Sequence, residues 1–519
     1  MKHLLFAIVA LMPAMLMLAG TLLSLLPLLS VKRLWQVFMG LSGIAVVCAV
    51  VTAWAGPQLP EFHPWLMTTP IGNALALLVQ LLCSVIAAFS ARYLDGEPGQ
   101  RRFIAALAGV LSAVHVLLMA DHWLVLITAW ALVGGVLQRL LCFYPDRPFA
   151  LLAAHKKQIA DRFADGLLII AAALAWNEAG SGSLSDLWTH IDRHGLSLTL
   201  QLSAVCLVLA AILRTALLPV HGWLTQVMEA PTPVSALLHA GVVNLGGFVL
   251  IRFAPLLDQA MPARTILVVF GLGTAVLAGL VMLTRISIKV RLAWSTTAQM
   301  GFLVLECGLG LYTLAALHLL GHSLYKAQAF LSASMVVRQT RLHAMHGTVA
   351  PIPISLLLAP IGAIPTVLLI QSIVTISAWP WWWSAVLGLA WAPLLWLPGQ
   401  PGSMRTICLH GGAGLLMVAG LTGAALLAHA LPFGIVDRPN HLLGMVALTG
   451  MATLYVLLVV LQLRPQTLRG WRRWSYAGFY LDESFTRMAL QYWPARWIPR
   501  ALKSGSISAP STPAKDAPR

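Results

Sequence analysis

Apolar runs close to or above the roughly 18–20 residues that carry an α-helix across a bilayer recur along almost the whole chain. They fall at about 4–29, 34–55, 70–93, 103–120, 122–144, 163–178, 197–218, 233–256, 264–283, 292–310, 311–337, 350–376, 380–398, 408–431 and 441–463. A chain of 519 residues that is 59% hydrophobic, only 10% charged and has a mean hydropathy of +0.83 cannot be a soluble globule around one core. The expected fold is an all-α polytopic membrane protein with about 13–15 transmembrane helices. The first run is too long, and too poor in an Ala-x-Ala-type exit, for a cleaved signal peptide, and reads as the first span.

The formal charge of +16 does not point to nucleic acid. Basic residues are scattered over loops (Arg101, Lys156, Lys157, Arg285, Lys289) and concentrate after the last run. There Arg464, Arg469, Arg472, Arg473, Arg487, Arg496, Arg500 and Lys503 alternate with Trp471, Trp474, Tyr476, Tyr480, Trp493 and Trp497. Basic charge mixed with Trp and Tyr suits a segment lying on an anionic leaflet and favours a cytoplasmic C-terminus; a partner-docking surface has the same composition. Residues 464–503 read as that basic aromatic segment, and the Ser-, Pro-, Ala- and Lys-rich 504–519 as a disordered tail.

The six cysteines stand apart with no C-x-x-C spacing, so no zinc or iron–sulfur site is expected in this chain. There is no G-x-G-x-x-G dinucleotide fingerprint and no G-x-x-x-x-G-K-[ST] loop for ATP. No cofactor, metal or catalytic residue is assigned, and an ATP-driven pump is disfavoured.

Against this apolar background the ionisable residues carry the information. His318, His322 and Lys326 are spaced four residues apart, so at 100° per residue they drift by only about 80° and line one helix face. A charge at the bilayer centre costs on the order of 3 kcal/mol. Three such groups on one stripe suggest a route for protons or cations. The bland account, histidines bonding to neighbouring helices and a lysine snorkelling to the interface, fits poorly with apolar flanks on both sides of Lys326. Glu306, in GFLVLECGLG, is either a further buried carboxylate or a helix-end residue. A second block spans 214–252, where Pro219, Pro231 and Pro233 remove backbone donors and break a hydrophobic helix. Arg214, His221, Glu229 and His239 surround the break. Broken helices at membrane depth often line ion pathways, although a re-entrant loop with interfacial polar residues would look the same.

Three strings, APTPVSALLHAGVVNLGGFVLIR (230–252), SIKVRLAWSTTAQMGF (287–302) and HLLGHSLYKAQAFLSAS (318–334), carry a family resemblance. In this order they resemble the proton-translocating antiporter-like subunits of respiratory complex I (subunit L type) and of multisubunit sodium/proton antiporters, over about 121–337. The resemblance implies two inverted five-helix repeats, each with a broken helix. It places the first at 121–256 and the second at 257–400, between N-terminal helices (1–120) and C-terminal helices (401–463). It makes Lys326 the central lysine of the second repeat, with His318 and His322 beside it. His239 becomes the bridging histidine, Arg214 replaces the first repeat's lysine, and Arg162 and Asp165 fit an R-x-x-D pattern.

Departures from that pattern narrow the reading. Ala131, before Leu132, Val133, Gly134 and Gly135, stands where the family has a helix-centred glutamate. That removes a proton acceptor and the partner that tunes the first repeat's cation. Arg214 cannot release a proton at working pH, because a guanidinium has a pKa above about 12. No lysine occurs between Lys326 and Lys503, and only 56 residues follow Leu463, too few for the family's long lateral helix. This compact variant is similar to the membrane subunits of two-component DAB inorganic-carbon uptake complexes. That branch implies a bacterial inner-membrane transporter subunit working with a large soluble zinc-containing, carbonic-anhydrase-like partner of DabA type. Proton or sodium movement through the membrane subunit would make hydration of CO₂ to bicarbonate effectively one-way. A redox-linked subunit of a complex I-like or hydrogenase-type assembly, a cation/proton antiporter subunit and a structural anchor with a decayed relay remain alternatives. Neighbouring genes would separate the carbon-uptake, redox and antiporter readings.

Overall fold

A computed structural model describes residues 2–55, 62, 64–333, 350–374, 379–399, 404–464, 466–467 and 469–494. The expected tail at 504–519 and the basic residues Arg496, Arg500 and Lys503 lie outside the described residues. Among those residues ten helices are long and apolar enough to cross a membrane by length and composition, and two shorter apolar helices, Leu198–Arg214 and Trp381–Leu395, join them. Three further helices have the length but carry ionisable groups, which is where the candidate site lies. Large apolar side chains point outward from the helices, among them Leu357, Ile361, Leu369, Leu416 and Leu442. Exposed apolar surface on that scale is what hydrocarbon covers.

The N-terminal bundle consists of α1 (Lys2–Leu25), α2 (Val31–Ala55), α3 (Pro70–Tyr93) and α4 (Gln100–Leu118). Its helices are joined by a buried polar knot: His115 Nε2 lies 2.9 Å from Gln80 Oε1, and Gln80 Nε2 donates to Ser42 Oγ at 2.9 Å. Away from water such groups must satisfy one another, and interhelical bonds of this kind hold membrane helices together. Next come α5 (Trp123–Leu141), α6 (Pro148–Ala179), the short amphipathic α7 (Leu184–His194) and α8 (Leu198–Arg214). Helix α6 opens with Pro148, whose missing N–H costs nothing in the first turn, and closes at Gly180, which takes the left-handed φ of 69°. It therefore begins about fifteen residues before the apolar run at 163–178, and Lys156 and Lys157 are buried helix residues rather than loop residues.

After α8 the chain leaves helical geometry until α9 (Gly222–Gln226) and a 3₁₀ turn (Val227–Glu229). Helix α10 (Thr232–Ala240) is capped by Pro231 and carries Pro233 in its first turn, as the prolines predict. It then breaks again at Gly241, before a 3₁₀ turn (Val242–Asn244) and α11 (Leu245–Arg252). No proline marks this second break. Asn244 compensates it, donating from Nδ2 to Ala240 O at 3.0 Å and to Ser323 Oγ at 2.8 Å.

A four-residue α12 (Ala254–Leu257) leads to α13 (Met261–Leu283), α14 (Ile288–Leu309) and α15 (Tyr312–Leu331). Helices α13 and α14 pack backbone to backbone, because a Cβ on Gly271 would meet Gly301 O at 2.7 Å and one on Gly301 would meet Ala275 N at 2.6 Å. Helices α16 (Pro353–Ile373), α17 (Trp381–Trp391), α18 (Met404–His429) and α19 (His441–Leu463) complete the spanning set. Helix α17 is short and ends in a 3₁₀ turn (Ala392–Leu395). Finally α20 (Arg469–Tyr476) and α21 (Leu481–Tyr492) fold back against the ends of α13, α6 and α9.

Candidate ion-translocation site

The stripe expected on α15 exists, and α14 supplies its other wall. Lys326 is fully buried and donates from Nζ to Leu292 O at 3.1 Å and Ser295 Oγ at 2.8 Å. Four residues back, His322 is buried with both ring nitrogens unpartnered by protein. Its ring lies 6.1 Å from that of His318, whose Nδ1 is 2.8 Å from Glu306 Oε2. Helices α14 and α15 run antiparallel, so Ser295 faces Lys326 at one end and Glu306 faces His318 at the other. Eight residues separate His318 from Lys326, a file about 12 Å long. Glu306 thus sits at the head of this file, in the last turn of α14 but buried there, at 3% exposure.

His239 joins from α10. Its ring stacks on Phe330 of α15 with centroids 4.4 Å apart, it is fully buried, and both nitrogens lack a protein partner. Two unpartnered buried imidazoles beside a buried ammonium mark space in which water can complete a hydrogen-bonded chain. Just past the Glu306 end, Asp437 lies in the loop between α18 and α19. It accepts from Thr313 N–H at 2.8 Å and lies 3.6 Å from His429 Nε2; burial raises its carboxyl above the usual range. Nothing in the local sequence singled out Asp437, because a lone Asp in a loop before a helix carries no spacing signal.

The first half is organised around charge pairs. Arg214 is buried, donates to Trp130 O at 2.8 Å, lies 4.6 Å over the Trp130 ring and pairs with Asp165 of α6. The expected loss of its carboxylate partner at Ala131 is therefore made good from the neighbouring helix. Gly134 of α5 makes room for a second acid of α6, since a Cβ there would come within 2.6 Å of Asp161 Oδ2. Asp161 in turn pairs with Lys157. Arg162 reaches Asp165 only at 3.9 Å, with its side chain 74% exposed, and borders the site from outside. Glu229 is not brought to Arg214 or Lys326. It sits half-buried on the 3₁₀ turn, forms no ion pair among the described residues, and its carbonyl accepts from Arg147 at 3.1 Å. His221 is buried against Trp294 with ring centroids 4.7 Å apart. Lys156 binds Asp482 of α21 at 2.6 Å, a pairing across 326 residues that no local pattern could announce.

Comparison with known proteins follows the same lines. The family model described as NADH:quinone oxidoreductase/Mrp antiporter, TM, matches residues 120–367. A protein of Hydrogenovibrio crunogenus named probable inorganic carbon transporter subunit DabB is 36% identical over 458 residues, 86% of each chain. One of Halothiobacillus neapolitanus named probable inorganic carbon transporter subunit DabB2 is 38% identical over 467 residues, 85% of this chain and 82% of that one. The chain belongs to the DabB family. Subunit L of NADH-quinone oxidoreductase from Mycobacterium tuberculosis is 32% identical over 279 residues, covering 53% of this chain and 43% of its own. Among solved structures, the Mrp complex of a Dietzia species shares the fold with a TM-score of 0.59 at 22% identity. That match covers 94% of this chain and 60% of the neighbour's. The resemblance read from the three strings is thus the family's, and the protein is a multi-pass protein of the bacterial inner membrane.

Proposed function

We propose that this chain is the ion-conducting membrane subunit of an inorganic carbon uptake complex, and that it moves protons or sodium ions to drive a zinc-containing, carbonic-anhydrase-like partner of DabA type. Family membership supports the transport class. The observation that carries the mechanism is the buried file Glu306–His318–His322–Lys326, with His239 alongside. Lys326 is held by a carbonyl and a hydroxyl and forms no ion pair among the described residues. A lysine so held can lose its proton without leaving a carboxylate unpaired, which an arginine could not do. Glu306 and His318 exchange a proton across one hydrogen bond, and water between the rings of His318, His322 and His239 would carry it on to Lys326. Arg214, locked to Asp165 and Trp130, is a fixed charge that shapes the field of the first half. Chemistry on carbon is assigned to the partner.

The test is growth of a carbonic-anhydrase-deficient bacterium in ambient air. Co-expression of this subunit with the partner should restore growth, while either alone should not. Rescue by this chain by itself would overturn the reading.

A further inference from the structure

The first half poses a difficulty. Its two pathway positions are Ala131, which holds no proton, and Arg214, which does not release one. Yet a lysine is fully enclosed a few turns away, with a carboxylate brought to it from a different part of the chain. Lys156 of α6 has no exposed side-chain surface, and its Nζ contacts Asp482 Oδ1 at 2.6 Å and Thr486 Oγ1 at 3.0 Å. Asp482 Oδ2 accepts from Gln226 of α9 at 2.7 Å. Gly222, at the start of α9, makes room for this carboxylate, since a Cβ there would overlap it. The Asp482 side chain is 17% exposed, so the pair has one enclosed member and one with an edge at the surface. Elsewhere on α6 an open groove of about 370 Å³ is lined by His155, Gln158, Arg162, Phe163 and Trp493. Trp493 holds the C-terminal segment there, its carbonyl 2.8 Å from His155 Nε2 and its ring 5.5 Å from that of Phe163.

We propose that Lys156 and Asp482 are the proton-exchanging pair of the first half, with the acid supplied by the C-terminal segment instead of by α5. This rests on the reading of the chain as an ion-conducting subunit. The proton leaves Lys156 Nζ for Asp482 Oδ1, leaving a neutral amine and a carboxylic acid. The acid then loses its proton to water at the exposed edge, and Lys156 is reprotonated from inside the helix bundle, where the buried imidazole of His221 lies within electrostatic reach of the pair. Geometry sets the roles. The exchanging atoms are in direct hydrogen-bond contact, the lysine is shut off from solvent, and the carboxylate has water on one side. The neighbouring pairs Lys157–Asp161 and Arg214–Asp165 hold the surrounding charge balanced while Lys156 changes state. The same contact seats α21 on α6, and Gln226 ties it to α9, so docking of the segment and completion of the pair are one event.

Lys156→Arg separates exchange from seating, because arginine keeps the ion pair but does not release its proton. The complex purified with its soluble partner is reconstituted into vesicles containing a pH-sensitive dye, and protease resistance of the C-terminal segment is read in parallel. Proton flux in Lys156→Arg and in Asp482→Asn is expected to fall at least tenfold, with the segment in Lys156→Arg as resistant to protease as in the wild type. Asp482→Glu should keep measurable flux. Wild-type flux in Lys156→Arg, or lost flux that always accompanies lost protection, overturns the inference and leaves the pair a structural clasp. If flux depends on Lys326 but not on Lys156, the wider reading stands and this one falls. A wild-type complex that carries neither protons nor sodium ions overturns both, and one that carries sodium ions alone overturns only this inference.

Discussion

Lys326 and Arg214 are both buried cations, and their partners give them different work. Lys326 is solvated by Leu292 O and Ser295 Oγ, so deprotonation strands no counter-charge. Lys326→Ala should therefore reduce coupled uptake by a factor on the order of 10², the usual worth of a positioned proton-transfer group, while expression is unchanged. Lys326→Arg should fail equally, since charge without release does not suffice. Wild-type uptake in either variant would remove Lys326 from the path. Arg214 has a carboxylate, a carbonyl and an aromatic face around it. Arg214→Lys should keep much of the activity, whereas Arg214→Ala leaves the half-buried Asp165 with only the long 3.9 Å contact to Arg162 and should lose most of it. Ala131→Glu should not help, because Asp165 already serves Arg214; a clear gain in uptake would contradict that account. The residues legible in the sequence were those with a helical period inside an apolar run, His318, His322 and Lys326. Lys156 and Lys157 were not, since basic residues near one another between apolar runs look the same whether they meet water or a distant acid.

At the level of elements, small residues set how closely helices approach. A Cβ on Gly271 would lie 2.6 Å from Leu305 N, and one on Gly301 the same distance from Ala275 N, so both glycines are contact points of α13 with α14. This pair carries the Ser295 and Glu306 wall of the file, and its spacing fixes the distance to α15. Gly301→Val should destabilise the purified subunit by about 1–3 kcal/mol through overpacking, read as a lower thermal midpoint in detergent. Gly279→Ala, on α13 with nothing within 4 Å of the added carbon, should leave the midpoint nearly unchanged. Equal midpoints for the two variants would show that the interface yields. Apolar length placed α3 and α19 to within a residue, because those helices lie wholly in the apolar layer and end in clear signals. It missed the start of α6 and the break at Gly241, where polar residues continue a helix and an unremarkable glycine interrupts one.

At the level of the whole molecule, the proposed function assigns chemistry on carbon to a partner, so the gradient and the reaction would be joined by contact between subunits, and the two can be separated experimentally. In the co-expressing rescue strain, an uncoupler should abolish growth in air while the soluble partner stays on the membrane, because collapsing the gradient removes the driving force without altering the docking surface. Lys326→Ala should reproduce the same separation genetically, with partner retained in the membrane fraction and uptake of labelled inorganic carbon lost. Uptake that persists in the presence of the uncoupler would show that the energy has another source. Partner release by Lys326→Ala would instead make the lysine part of assembly, and the proton path would have to be sought elsewhere in the helix bundle.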